Sequence, residues 1–161
     1  MYITYIMKGN RGFSLIEIVV VIGLLAIIGG FFMLTNIDTY RSYLFRGERD
    51  NIVEALQKAR SRAINNICFG ASCSNGRPHG VRFESGGDFI IFQAPYSSSD
   101  STNDKMSLIY GTTITDSVPF EITFSQLSGD SSVERDITIV DDIGHISVIS
   151  INNEGQILWS N

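Results

Sequence analysis

The stretch from Ile18 to Ile37 holds no charged residue and almost only apolar side chains, and it constrains the chain more than any other feature. As a helix rising about 1.5 Å per residue, it is long enough to cross a bilayer core of about 30 Å. A buried core helix is the plain alternative, but the run is long and apolar on all faces. Lys8 and Arg11 precede it, and Asp38 follows it. The positive-inside bias then leaves the N-terminus in the cytoplasm and everything after residue 38 outside.

A secretory signal peptide shares the basic start and the apolar middle. Two features argue against one. Glu17 interrupts the beginning of the run, where an ordinary signal peptide carries no charge. No small-x-small site follows it either: Gly29-Gly30 is the nearest approach, and Phe31-Phe32-Met33 comes next. The run reads as a retained anchor.

Glu17 is the odd residue. A carboxylate in an apolar helix costs about 2.5–3.5 kcal/mol at mid-bilayer and less near the edge. Its own segment offers no evident partner. Either Glu17 sits at the interface near the helix start, where the macrodipole favours an acid, or its partner lies on another molecule.

The residues Gly12-Phe13-Ser14-Leu15-Ile16-Glu17-Ile18-Val19-Val20-Val21-Ile22 resemble the N-terminal processing and methylation motif of type IV pilins and type II secretion pseudopilins. In that family a membrane peptidase, the prepilin peptidase, cuts after the glycine and methylates the new N-terminal residue. The resemblance implies cleavage between Gly12 and Phe13, methylation of Phe13, and pairing of Glu17 with the Phe13 amine of a neighbouring subunit during assembly. It also implies a bacterial inner-membrane precursor, an inner-membrane assembly platform, and other pilin or pseudopilin subunits as partners in a pilus or pseudopilus. Residues 1–12 are then a leader, 13–37 a membrane or filament-core helix, and 38–161 an exported head. Family leaders are commonly short and hydrophilic, whereas Met1–Ile6 is apolar; Met7-Lys8-Gly9-Asn10-Arg11-Gly12 reads as a conventional leader by itself, and translation from Met7 is the expectation.

Beyond the apolar run the helical pattern continues. Ile52, Leu56, Ala59, Ala63 and Ile67 recur at helical spacing and make one apolar stripe. Glu48, Arg49, Asp50, Glu54, Lys58, Arg60 and Arg62 fill much of the remaining surface. No proline precedes Pro78, so nothing forces a break. The helix is expected from about Phe13 to about Asn66, on the order of 80 Å, its second half (38–67) packing on the head.

Ala59-Arg60-Ser61-Arg62-Ala63-Ile64, the segment from Cys68 to Phe83 and the terminal Ile149–Ile157 hairpin resemble the GspH/FimT group of minor pilins and pseudopilins. From residue 80 to 161 the period becomes that of strands. Gly80–Glu84 and Asp88–Gln93 flank a Ser85-Gly86-Gly87 turn. Further strands are expected near Leu108–Ile114, Phe120–Phe124, Asp136–Val140, His145–Ile151 and Gln156–Trp159, with 97–104 as a polar loop. The fold class is α+β: a long N-terminal helix whose exposed half carries an antiparallel sheet.

Cys68 and Cys73 are the only cysteines. Outside the cytoplasm a local disulfide is expected, with two free thiols as the alternative. No second Cys or His pair has zinc spacing, so His79 and His145 read as structural or exposed. Asp130, Glu134, Asp136, Asp141 and Asp142 lack the ordered spacing of a calcium loop and read as solvated turns; no metal and no cofactor is expected. The net charge is −5, about −7 without Lys8 and Arg11, which gives a nucleic-acid partner no help. Arg60, Arg62, Arg77 and Arg82 are candidates for a basic patch, but the chain ends in Trp159-Ser160-Asn161, without charge. There is no Ser/His/Asp order with a nucleophile elbow, no phosphate loop and no HExxH, so an enzyme is not expected. A filament subunit is the leading reading, and a pilus-tip module binding DNA or a surface is its alternative.

Overall fold

The structure, a computed structural model, describes residues 12–70, 73 and 75–160, and of residues 32–36 it gives the backbone only. The expected leader before Gly12, and with it the choice between Met1 and Met7, lies outside the described residues. The chain divides into two compact units, Met1–Tyr40 and Arg41–Asn161.

One helix, α1 (Leu15–Ile64), serves both units. From Ile18 to Phe31 it is apolar around its whole circumference. Leu15, Ile16, Val19, Ile22, Leu25 and Ile28 are all more than half exposed. Among the described residues no helix is long and apolar enough to cross a membrane; the expected span includes residues 32–36, whose side chains lie outside the described set.

In the second unit α1 presents one buried face. Phe45, Ile52, Leu56, Ala59 and Ala63 are buried, which places one side chain per turn against the head. Full burial of an Ile or Leu stabilises by about 1.5–3 kcal/mol. The expected stripe ends one residue too late, because Ile67 lies beyond the helix. Asn66 takes a left-handed φ of 57°, the Asn66 amide donates to Ala63 O and the Ile67 amide to Arg62 O. This pair of bonds closes a helix C-terminus in a Schellman motif. Glu48 and Arg49, expected on the solvent face, are instead buried.

Eight strands follow: β1 (His79–Phe83), β2 (Asp88–Gln93), β3 (Asp104–Ser107), β4 (Thr113–Ile114), β5 (Phe120–Phe124), β6 (Arg135–Val140), β7 (Ile146–Ile151) and β8 (Ile157–Ser160). They form two antiparallel sheets rather than one, in the orders β3-β2-β1-β5 and β4-β6-β7-β8. Alternating residues point inward: Phe120, Ile122 and Phe124 from β5, Ile137 and Ile139 from β6, Ile149 and Ile151 from β7. Together with Val81, Phe83, Phe89 and the α1 face they make one core. On the other face of the first sheet, Gly80 leaves room for the Phe92 ring; a Cβ there would lie 2.9 Å from Phe92 and 2.5 Å from Ile122 O.

The expected strand at Leu108–Ile114 is displaced. Pairing begins earlier, inside the expected polar loop, where Asp104–Ser107 joins β2. Asp88 fixes that register by accepting from Ser107 Oγ at 2.6 Å and pairing with Lys105 at 2.7 Å. Tyr110 (φ 48°) and Gly111 (φ 74°) then turn left-handed, which no strand accommodates, so only Thr113–Ile114 resumes pairing.

Candidate functional site

The N-terminal motif folds into a helix start. Ser14 precedes α1 and its Oγ accepts from the Glu17 amide at 3.3 Å, while Glu17 Oε2 accepts from the Ser14 amide at 3.4 Å. This reciprocal pair is a capping box, satisfying two amides that the helix ladder leaves free. The sequence reading that Glu17 has no partner in its own segment is therefore corrected: Ser14 supplies one. The Ser-x-x-Glu spacing before an apolar run is the signal that would have revealed it. The carboxylate stays exposed beside Phe13, Ile18, Val21 and Ile22, which with it line a shallow depression of about 220 Å³. Phe13 is 79% exposed. Gly12 stands before the helix, and a side chain there would meet nothing within 4 Å.

The other candidate residues fall at separate places. Cys68 and Cys73 form a disulfide with Cα atoms 5.8 Å apart, just past the helix end. His79 is fully buried on β1; its Nδ1 bonds Arg77 O at 3.0 Å and its ring stands edge-on to Phe69. Burial, reinforced by the charge of Arg62 and opposed by the Arg77 carbonyl, lowers its pKa, so the ring is neutral near pH 7.

Three of the four arginines are each engaged at a separate place. Arg60 donates to two backbone carbonyls, Gly129 O at 3.1 Å and Glu154 O at 3.0 Å, tying α1 to two turns. Arg62 faces Asp104 at 3.7 Å and the Phe69 ring. Arg82 lies between Glu121 and Glu84. Of the acidic set, Asp141 is committed to its own turn, accepting from the amides of Ile143 and His145 and from His145 Nδ1. Among the described residues no group of three His, Cys, Asp or Glu side chains is placed to hold a metal ion.

One arrangement had no sequence signal. His145 Nε2 lies 3.3 Å from Ser42 Oγ, and His145 Nδ1 lies 2.8 Å from Asp141 Oδ2. The order is that of an acyl-transfer relay. Ser42, however, sits inside α1, where backbone amides are already bonded to the preceding turn and offer no oxyanion donor. The three residues instead dock the β6–β7 turn on the helix, assisted by the pair Arg41–Asp142 at 3.6 Å.

Residues 7–33 match the family described as the prokaryotic N-terminal methylation motif. No curated protein and no solved structure matches the chain. The match supports a type IV pilin- or pseudopilin-like prepilin. Such a motif implies a membrane-anchored precursor, processing by a prepilin peptidase and assembly with other pilins.

Proposed function

We propose that this protein is a minor pilin or pseudopilin, of the GspH/FimT kind, that builds into a type IV pilus or a type II secretion pseudopilus. On this reading the prepilin peptidase cuts between Gly12 and Phe13 and methylates Phe13. The anchor is single-pass in the bacterial inner membrane, with the N-terminus in the cytoplasm and the head outside. An assembly platform then draws the subunit into the filament, where Glu17 meets the Phe13 amine of a neighbour. The subunit does no chemistry of its own, and neither metal nor nucleic acid enters its role.

The observation that carries this reading is the helix of the first unit, capped at Ser14 and exposed in apolar side chains all round. Such a helix is stable only when lipid or other helices cover it. A precursor that first sits in a bilayer and then packs in a filament meets both conditions. Intact mass and N-terminal sequencing from cells with and without the peptidase test it. A methylated Phe13 terminus that depends on the peptidase is expected; a mature protein that keeps Gly12 overturns the reading.

A further inference from the structure

The end of the head at which the chain enters carries a cluster of exposed apolar side chains that the assembly role does not use. Strand β7 lies between His145, beside Ser42, and the turn at Gly155, beside Arg60, so one end of the second unit is the Arg41 end. Two loops meet there. In the first, residues 108–112 hold to the helix through the Ile109 amide, which donates to Glu48 Oε2 at 3.1 Å. The second, the β6–β7 turn, abuts Gly111, where an added Cβ would lie 3.4 Å from the Asp142 side chain. From these loops and their flanks Ile109, Tyr110, Ile143 and Ile146 project into solvent, and Tyr43 stands 74% exposed on the adjoining helix.

We propose that this end of the head is a membrane-interface surface that rests in the lipid headgroup layer while the subunit awaits assembly. The proposal rests on the anchored reading above. Three observations select lipid over a protein partner. The residues are tyrosines and isoleucines, rings with a polar tip beside aliphatic bodies, which favour the boundary between headgroups and acyl chains. Arg41 and Arg46 are exposed at the same end and can meet lipid phosphates, Arg41 while keeping Asp142 as neighbour. Arg41 is also where the apolar segment joins this unit, so chain continuity tethers this end close to an inserted anchor. The turn through Tyr110 and Gly111 places the tyrosine at its tip.

The full-length precursor, reconstituted in vesicles of phosphatidylethanolamine and phosphatidylglycerol with brominated acyl chains, provides the test. In a Trp159→Phe background, single tryptophans are placed by Tyr110→Trp, by Ile143→Trp as an independent site, by Val133→Trp far from the Arg41 end, and by Leu24→Trp in the anchor. Bromine quenching of Tyr110→Trp and Ile143→Trp about two-fold or more above that of Val133→Trp is expected, with Leu24→Trp quenched most. Quenching of Leu24→Trp with both loop probes no more quenched than Val133→Trp overturns the proposal and leaves the anchor intact. A blue shift of the loop probes that bromine does not quench also overturns it, assigning the surface to a neighbouring protein. An unquenched Leu24→Trp removes the anchor reading and the proposal with it.

Discussion

Ser14 and Glu17 cap one another: each side-chain oxygen accepts the other residue's backbone amide across the first turn of α1. A residue expected to seek a partner on another molecule is thus already engaged in its own chain. The two roles are compatible. The cap uses one carboxylate oxygen, at 3.4 Å, and the exposed remainder of the group is free to meet a cation.

The two roles separate by substitution. Glu17→Gln keeps an oxygen able to accept the Ser14 amide but removes the charge, whereas Ser14→Ala removes one half of the cap and keeps the charge. Ser14→Ala should weaken the first turn by about 1 kcal/mol, read as faster amide exchange at Glu17 and Ile18, while incorporation into filaments persists. Glu17→Gln should show near-native exchange and poor incorporation. Normal incorporation of Glu17→Gln would refute pairing through charge.

Glu48 gives a second prediction. It is 4% exposed and takes the Ile109 amide, and burial, which outweighs that bond, raises its pKa above the ordinary 4.5. A carboxyl whose folded pKa is raised is held more readily neutral, so stability falls as pH climbs from 4.5 through the higher folded value. Glu48→Gln keeps an acceptor for Ile109 without the charge. Thermal melting in detergent should show it more stable at pH 7, by about 1 kcal/mol, with the gain vanishing below pH 4.5.

What the chain discloses to a reader of its sequence divides along the range of the interaction. The α1 stripe from Ile52 to Ala63, the β1–β2 hairpin around Gly86-Gly87 and the bounds of Phe120–Phe124 are local patterns, and they stand where period and turn residues place them. The capping box is equally local, written as Ser14-x-x-Glu17 before the apolar run. Division into two sheets was not legible, because β5, β6 and β7 alternate alike although β5 belongs to one sheet and β6 and β7 to the other, and alternation does not say which strands pair. Nor were the Arg60 contacts with Gly129 and Glu154, or the approach of Ser42 to His145, both made by residues far apart in sequence.

The Arg60 clamp makes two glycines unequal. Gly155 and Gly144 are both left-handed, with φ of 70° and 92°, so alanine at either is strained by about 1 kcal/mol or more. At Gly155 an added Cβ would lie 2.1 Å from Gly129 O and 2.9 Å from Arg60 Nε; at Gly144 nothing lies within 4 Å. Gly155→Ala should therefore destabilise the head well beyond Gly144→Ala, by about 3 kcal/mol against about 1, read as the larger drop in melting temperature. Equal losses would mean that the two turns yield freely and that Arg60 does not fix them.

Asp141 makes the head sensitive to acid. Burial works to raise its pKa but is outweighed by the amide of His145, the ring of His145 and the amide of Ile143, and the carboxyl ends below its ordinary 3.8. A depressed acid contributes stability that is fully present above the unfolded value and is lost as pH falls through the folded one. Asp141→Ala removes the acceptor for three donors at once, two of them backbone amides of the β6–β7 turn. The loss at pH 7 should be about 2–3 kcal/mol, read from urea unfolding of the detergent-solubilised chain. As pH drops below 3.8 the wild type loses its advantage and the two curves should converge. A gap that stays constant into acid would assign the effect to packing, and the carboxylate would not be what holds the turn against Ser42.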